Sequence, residues 1–170
     1  MKTMDFTFRV PFDSNLNKIY CTNISKYKKE MEDKLSITDI YQVFYFIIPP
    51  RFRTSIHIDA FSSMMCTNTT IYFLSHCPEL YFETWDVKDK NKIDYHRNPE
   101  LTGTIKLPSA LPVTNEDNAI LKSTLKIEPN MNLRIDVFHS VYNRSVDFYA
   151  EIISVRLKSE IVYNNVYIPS

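Results

Sequence analysis

A chain of 170 residues with a single glycine, Gly103, has few ways to turn. Glycine takes positive φ without steric cost, so tight turns must fall on Asn, Asp and Pro instead. Such residues punctuate the sequence at His76-Cys77-Pro78, Asp89-Lys90-Asn91, Asn143-Arg144 and Asn164-Asn165. The same scarcity excludes the phosphate-cradling loops of nucleotide-binding folds, which need several glycines.

Between these turns the chain alternates apolar and polar residues at the period of a strand. Residues 5–10 set Phe6, Phe8 and Val10 against Thr7 and Arg9, and Pro11 stops them. Residues 51–61 set Phe52, Thr54, Ile56, Ile58 and Ala60 against Arg53, Ser55, His57 and Asp59. An aromatic and β-branched run over 37–48, ending at Pro49-Pro50, predicts a buried strand. Further strands are expected over 69–74, 80–87, 102–107, 119–127 and 161–168, while 12–22 and 108–117 read as loops. The one helix expected covers 23–35, where Tyr27, Met31 and Leu35 recur at i, i+4 and i+8 on a charged segment.

The longest alternating stretch runs from Leu133 to Leu157. It predicts a hairpin turning at Asn143-Arg144, with Val141 facing Val146, His139 facing Phe148, Val137 facing Ala150 and Ile135 facing Ile152. Those eight side chains would share one apolar face, with Arg134, Asp136, Phe138, Tyr149 and Glu151 on the other. Asp136 would then oppose Glu151, a like-charge pair that Arg134 relieves on the diagonal. On the apolar face, His139 is expected to bond a backbone group rather than a ligand. After Ile152 the apolar phase moves to Ile153, Val155 and Leu157, which predicts a bulge or a bend from one sheet to the other.

Eleven Tyr and eleven Phe supply strand-forming material, and a chain of this length buries about 70% of its unfolded surface as one domain. The fold expected is therefore an all-β antiparallel β-sandwich, jelly-roll-like or C2-like, with one short surface helix and a single domain over 1–170. No apolar run approaches the ~20 residues that span a bilayer, and the N-terminus has no signal-like stretch. A cytoplasmic location follows as the expectation, meaning host cytoplasm or virion if the protein is viral.

Twenty basic residues balance twenty acidic ones, so no global field draws nucleic acid, and Arg51 and Arg53 around Phe52 form only a local patch. Cys21, Cys66 and Cys77 lack the spacing of a disulfide or zinc framework. His57, His76, His96 and His139 lie in no motif that positions a nucleophile. No catalytic residue, metal or cofactor is expected.

The segment LYFETWDVKDKNKID, followed by LTGTIKLP, resembles the strand–loop–strand of a C2 domain. The likeness rests on Trp85 and Asp86 at the strand end, Asp89 in a charged loop, Gly103 opening the next strand and Pro108 closing it. It implies a loop that touches phospholipid headgroups. Lys88 stands where calcium-binding members carry an acid, and Asp86, Asp89, Asn91 and Asp94 fall short of the six to eight oxygens calcium takes. Headgroup contact would therefore rest on Lys88, Lys90, Lys92 and Arg97.

By elimination, and from the abundance of Tyr, the sequence points to a non-enzymatic protein whose work is contact with itself or with another structural protein. A self-assembling viral matrix or minor capsid subunit fits, with loops 88–101 and 108–118 as contact surfaces. The alternative is the C2-like module docking on a membrane surface.

Overall fold

The computed structural model describes residues 5–11, 15–59, 64–96, 101–102 and 111–163. Its first strands are β1 (Ile19–Asn23), β2 (Ile40–Ile48), β3 (Ile56–His57), β4 (Met64–Cys66) and β5 (Asn68–Phe73). Then come β6 (Leu80–Val87), β7 (Asp94–His96), β8 (Leu101–Thr102), β9 (Leu111–Thr114) and β10 (Ala119–Lys126). The chain closes on β11 (Met131–Arg134), β12 (His139–Asn143), β13 (Ala150–Leu157) and β14 (Ile161–Tyr163). Among the described residues a single α-helix, α1 (Lys28–Leu35), lies between β1 and β2.

Sheet A runs β11-β5-β13-β2-β1-β8 and sheet B runs β10-β6-β12-β3-β9-β7, while β14 and β4 form a separate ribbon. All pairings are antiparallel except β1 with β8. This is the β-sandwich that the alternation predicts.

Sheet A is covered on both faces. Toward sheet B it presents Ile19, Ile48, Ile71, Phe73, Ala150 and Ile152, which pack with Leu80 and Phe82. On its far side Val43, Tyr45, Ile47, Ile153 and Val155 meet Phe6, Phe8 and Met31. The strand β13 is buried along nearly its whole length for that reason. The shift from Ile152 to Ile153 therefore reflects two cores on the two faces of one central strand, not the bend expected there. A register irregularity does occur further on, between Arg156 and Leu157.

The helix forms where expected, after a 3-10 turn at Ser25–Tyr27, and buries Met31 completely. It ends at Ser36, whose φ of 55° is left-handed and whose N–H bonds the Glu32 carbonyl. With glycine so scarce, non-glycine residues hold positive φ at Ser36, Asp39, Arg51 and Asn130. Only two of these are the Asn or Asp that tolerate it best. Ser36→Gly is expected to stabilise the protein by about 0.5–1 kcal/mol through relief of the Cβ clash. An unchanged or lower urea midpoint would contradict this.

Three expected loops contain strands, the loop over 88–101 holding β7, and one expected strand is absent. Residues 12–22 include β1, and 108–117 include β9. Residues 5–10 form no strand, because the backbone turns back with Arg9 N–H bonded to the Phe6 carbonyl at 3.3 Å. Their alternation still buries Phe6 and Phe8, and Phe8 sits 5.5 Å from the Tyr45 ring. Of the strands expected over 102–107 and 161–168, residues 103–107 and 164–168 lie outside the described residues.

The hairpin over 133–157 does not form. Strand β12 pairs with β6 and β3 in sheet B, whereas β13 pairs with β2 and β5 in sheet A. Asn143 directs the crossover: its Oδ1 accepts the Ser145 N–H, and its Nδ2 donates to the carbonyls of Ile48 and Phe148. Val146 and Phe148, expected in the core, are 60% and 43% exposed on that crossover. Asp136 and Glu151 never meet. Asp136 takes Arg134 at 2.6 Å, while Glu151 is buried against Arg9 and the Tyr45 hydroxyl.

Candidate functional site

Three places can carry function: the lysine loop after β6, the outer edge of sheet B, and a polar cluster between the sheets.

The loop is built around Asn118. Its Oδ1 accepts the Asp89 N–H and its Nδ2 donates to the Asp89 carbonyl and to Thr114 Oγ1. Asp89 in turn caps the short turn Lys90–Lys92 by accepting the Asn91 N–H. Lys88 donates to the Asp117 carbonyl at 3.2 Å, and Lys90 and Lys92 are exposed. Asp86, Asp89 and Asp94 alternate with the lysines, and Glu116 and Asp117 stand alongside. The described part of the loop is a surface of mixed charge. Arg97 lies outside the described residues. Arg53, read as part of a basic patch, is held by Glu83 and Glu116, each at 2.7 Å, over the Tyr142 ring.

At the outer edge of sheet B lies β10, which among the described residues has a neighbour on one side only, β6. Ile120, Leu121 and Leu125 are 55%, 46% and 46% exposed there. Sequence reading places 119–127 as a strand but gives no hint that it ends a sheet, since an edge strand and a central strand share one alternation. The register slips between Leu121 and Ser123, so Lys122 forms a bulge. An open cleft of about 490 Å³ adjoins the edge, with Trp85, Ile93 and Phe138 beside Lys90 and Lys122.

The cluster between the sheets draws on both. His57 ends β3, Asp59 follows two residues later on the same side, and His139 opens β12 directly opposite His57. Arg156 reaches in from β13, packed over the Phe44 ring at 4.5 Å. The Asp59 carboxylate lies 3.5 Å from His57 Nε2, 3.2 Å from His139 Nε2 and 3.4 Å from Arg156 Nη2. Each imidazole uses its other nitrogen on the backbone: Nδ1 of His57 is 2.7 Å from the Ser55 carbonyl, and Nδ1 of His139 is 2.7 Å from that of Val137. The rings stand 4.6 Å apart, and His139 stacks on Phe82.

Burial alone would raise the Asp59 carboxyl, but the charges of Arg156 and His57 outweigh it and hold the group well below the usual carboxylate range. Burial works against a charged His57 too, yet Asp59 raises it, while burial and the neighbouring His57 lower His139. The three thiols are buried, and burial pushes Cys66 up to about 11 and raises Cys21 and Cys77. They are protonated at neutral pH and poor nucleophiles.

No protein-family model and no curated protein matches this chain. Its chemistry must be read from its own residues. The backbone bond expected for His139 is present. What sequence reading missed is its pairing with His57 and Asp59, which the alternation puts on a polar, outward face. The signal was the spacing of His57 and Asp59, two apart on one side of a strand. Its direction was misread because Ile56 and Ile58 pack outside sheet B, with Phe138 and Ala119. That leaves His57 and Asp59 facing inward.

Proposed function

We propose that this protein works by contact, as a non-enzymatic β-sandwich subunit that associates with a second copy through the open edge of β10. The observation that carries the reading is an eight-residue strand with one backbone edge unpaired among the described residues and three large aliphatic side chains half exposed. Such an edge is a template for another strand. A second copy suits it. In antiparallel pairing about Ser123, Lys122 falls near Thr124 and Lys126 near Ile120, so no lysine meets a lysine, and the bulge turns Leu121 to the face opposite that of Leu125. One twofold pair uses one surface on each subunit and closes on itself.

Magnitudes make the contact weak. Each half-exposed aliphatic chain recovers roughly 1 kcal/mol on burial, and the sum over two copies is of the order of the cost of association. The lysines and the bulge blunt the edge further. The dissociation constant expected is about micromolar or weaker. That suits a subunit of a larger assembly, of the matrix or minor capsid kind, in which many weak contacts add up. The headgroup-binding alternative has less support, because the lysines after β6 alternate with acids.

Sedimentation velocity tests the reading. The natural chain is expected to associate reversibly with rising concentration, and the double variant Leu121→Lys/Leu125→Lys to need at least about tenfold more protein. Equal behaviour of the two chains would overturn it.

A further inference from the structure

The cluster between the sheets poses a hydrogen-bonding problem that protein groups alone do not solve. A carbonyl oxygen only accepts, so Nδ1 of His57 and of His139 must each carry the proton shared with Ser55 and Val137. In the neutral rings each Nε2 then offers a lone pair, and both face oxygens of the Asp59 carboxylate. Acceptor opposes acceptor. Protonating one ring leaves the other opposed, and protonating both would put two cations, 4.6 Å apart, beside the Arg156 guanidinium around one carboxylate.

We propose that His57, Asp59 and His139 bind one divalent transition-metal ion between the sheets. The three ligand atoms lie within 4.8 Å of one another. The Nε2-to-oxygen gaps of 3.2 and 3.5 Å exceed the roughly 2.7–2.9 Å of a charge-assisted hydrogen bond. They run to the two different oxygens of Asp59, and each lies near the edge, about 3.3 Å, of a coordination tetrahedron with bonds of about 2.0–2.1 Å. Backbone carbonyls on the two Nδ1–H groups supply the outer-shell bonds that fix metal-binding imidazoles in tautomer and orientation. Two imidazoles and a carboxylate suit zinc, cobalt or ferrous iron rather than calcium or magnesium.

Three protein ligands leave a coordination position open. Arg156, 5% exposed, has a buried Nε without a hydrogen-bond partner, and its guanidinium already reaches Asp59. A ligand at the open position would therefore have the Arg156 cation nearby, which suits water, hydroxide or a small anion. This site is independent of the β10 edge and stands or falls separately.

Cobalt(II) added to the metal-stripped full chain at neutral pH, followed by visible absorption with zinc as competitor, tests the site. One cobalt per chain is expected, displaced by zinc, with binding weakened at least about a hundredfold in His57→Gln and in His139→Gln. No saturable uptake by the natural chain, or uptake unchanged in both variants, would overturn the proposal. Should a variant fail to fold, nitrogen NMR of the natural chain decides. Zinc is expected to shift Nε2 of His57 and His139 while their Nδ1–H signals persist, and shifts at His76 or His96 instead would contradict it.

Discussion

Arg156→Met is expected to cost about 3–5 kcal/mol, read as a lower urea midpoint with an unchanged slope. The guanidinium is nearly fully buried between the sheets and is, among the described residues, the one permanent cation beside Asp59. Methionine fills comparable space, so the loss reports charge and not packing. It leaves a buried carboxylate with only the two imidazoles beside it. The control is the double variant Asp59→Leu/Arg156→Met, measured with chelator present. Replacing a whole buried pair by apolar groups is often neutral, so most of the loss should return. A single-variant cost under about 1 kcal/mol would mean that the pair is solvated or already compensated.

Ile153→Ala is expected to cost about 3–4 kcal/mol. Ile153 is fully buried in the middle of β13, opposite Tyr45 on one neighbour and Tyr72 on the other, beneath the layer that carries Met31 and Phe8. Strand neighbours on both sides and a helix layer above limit collapse into the cavity. Leu121→Ala, at the exposed edge, removes as much aliphatic volume and should change monomer stability by no more than about 0.5 kcal/mol. Similar costs for the two would contradict the layered arrangement of sheet A.

Which parts of this were legible follows from what alternation can encode. Period two marks strands and the faces of each strand, so Leu80 to Val87 and Ala119 to Lys126 stand where the sequence places them. It does not say which strands pair. The apolar residues around Asn143-Arg144 satisfy a hairpin as well as a crossover, and the choice rests on the Asn143 side chain, whose Nδ2 reaches Ile48 nearly a hundred positions away. Nor does alternation say which face is inside. Ile56 and Ile58 lie on the apolar side of the alternation and do bury, but in a satellite cluster outside sheet B. That inversion turned His57 and Asp59 inward and hid the candidate metal centre. The lysine loop is a different case. Lys88, Lys90 and Lys92 lie after β6, and the Glu116–Asn118 turn brings carboxylates alongside that no local motif foretells.

The most direct test of self-association is residue-resolved amide hydrogen exchange in β10, compared over a hundredfold range of protein concentration. At high concentration the outward-facing amides of β10 are expected to slow, while those of β11, the edge of sheet A on the same side, keep their rates. Exchange in β10 that is independent of concentration, with the chain monomeric throughout, would contradict the proposed contact.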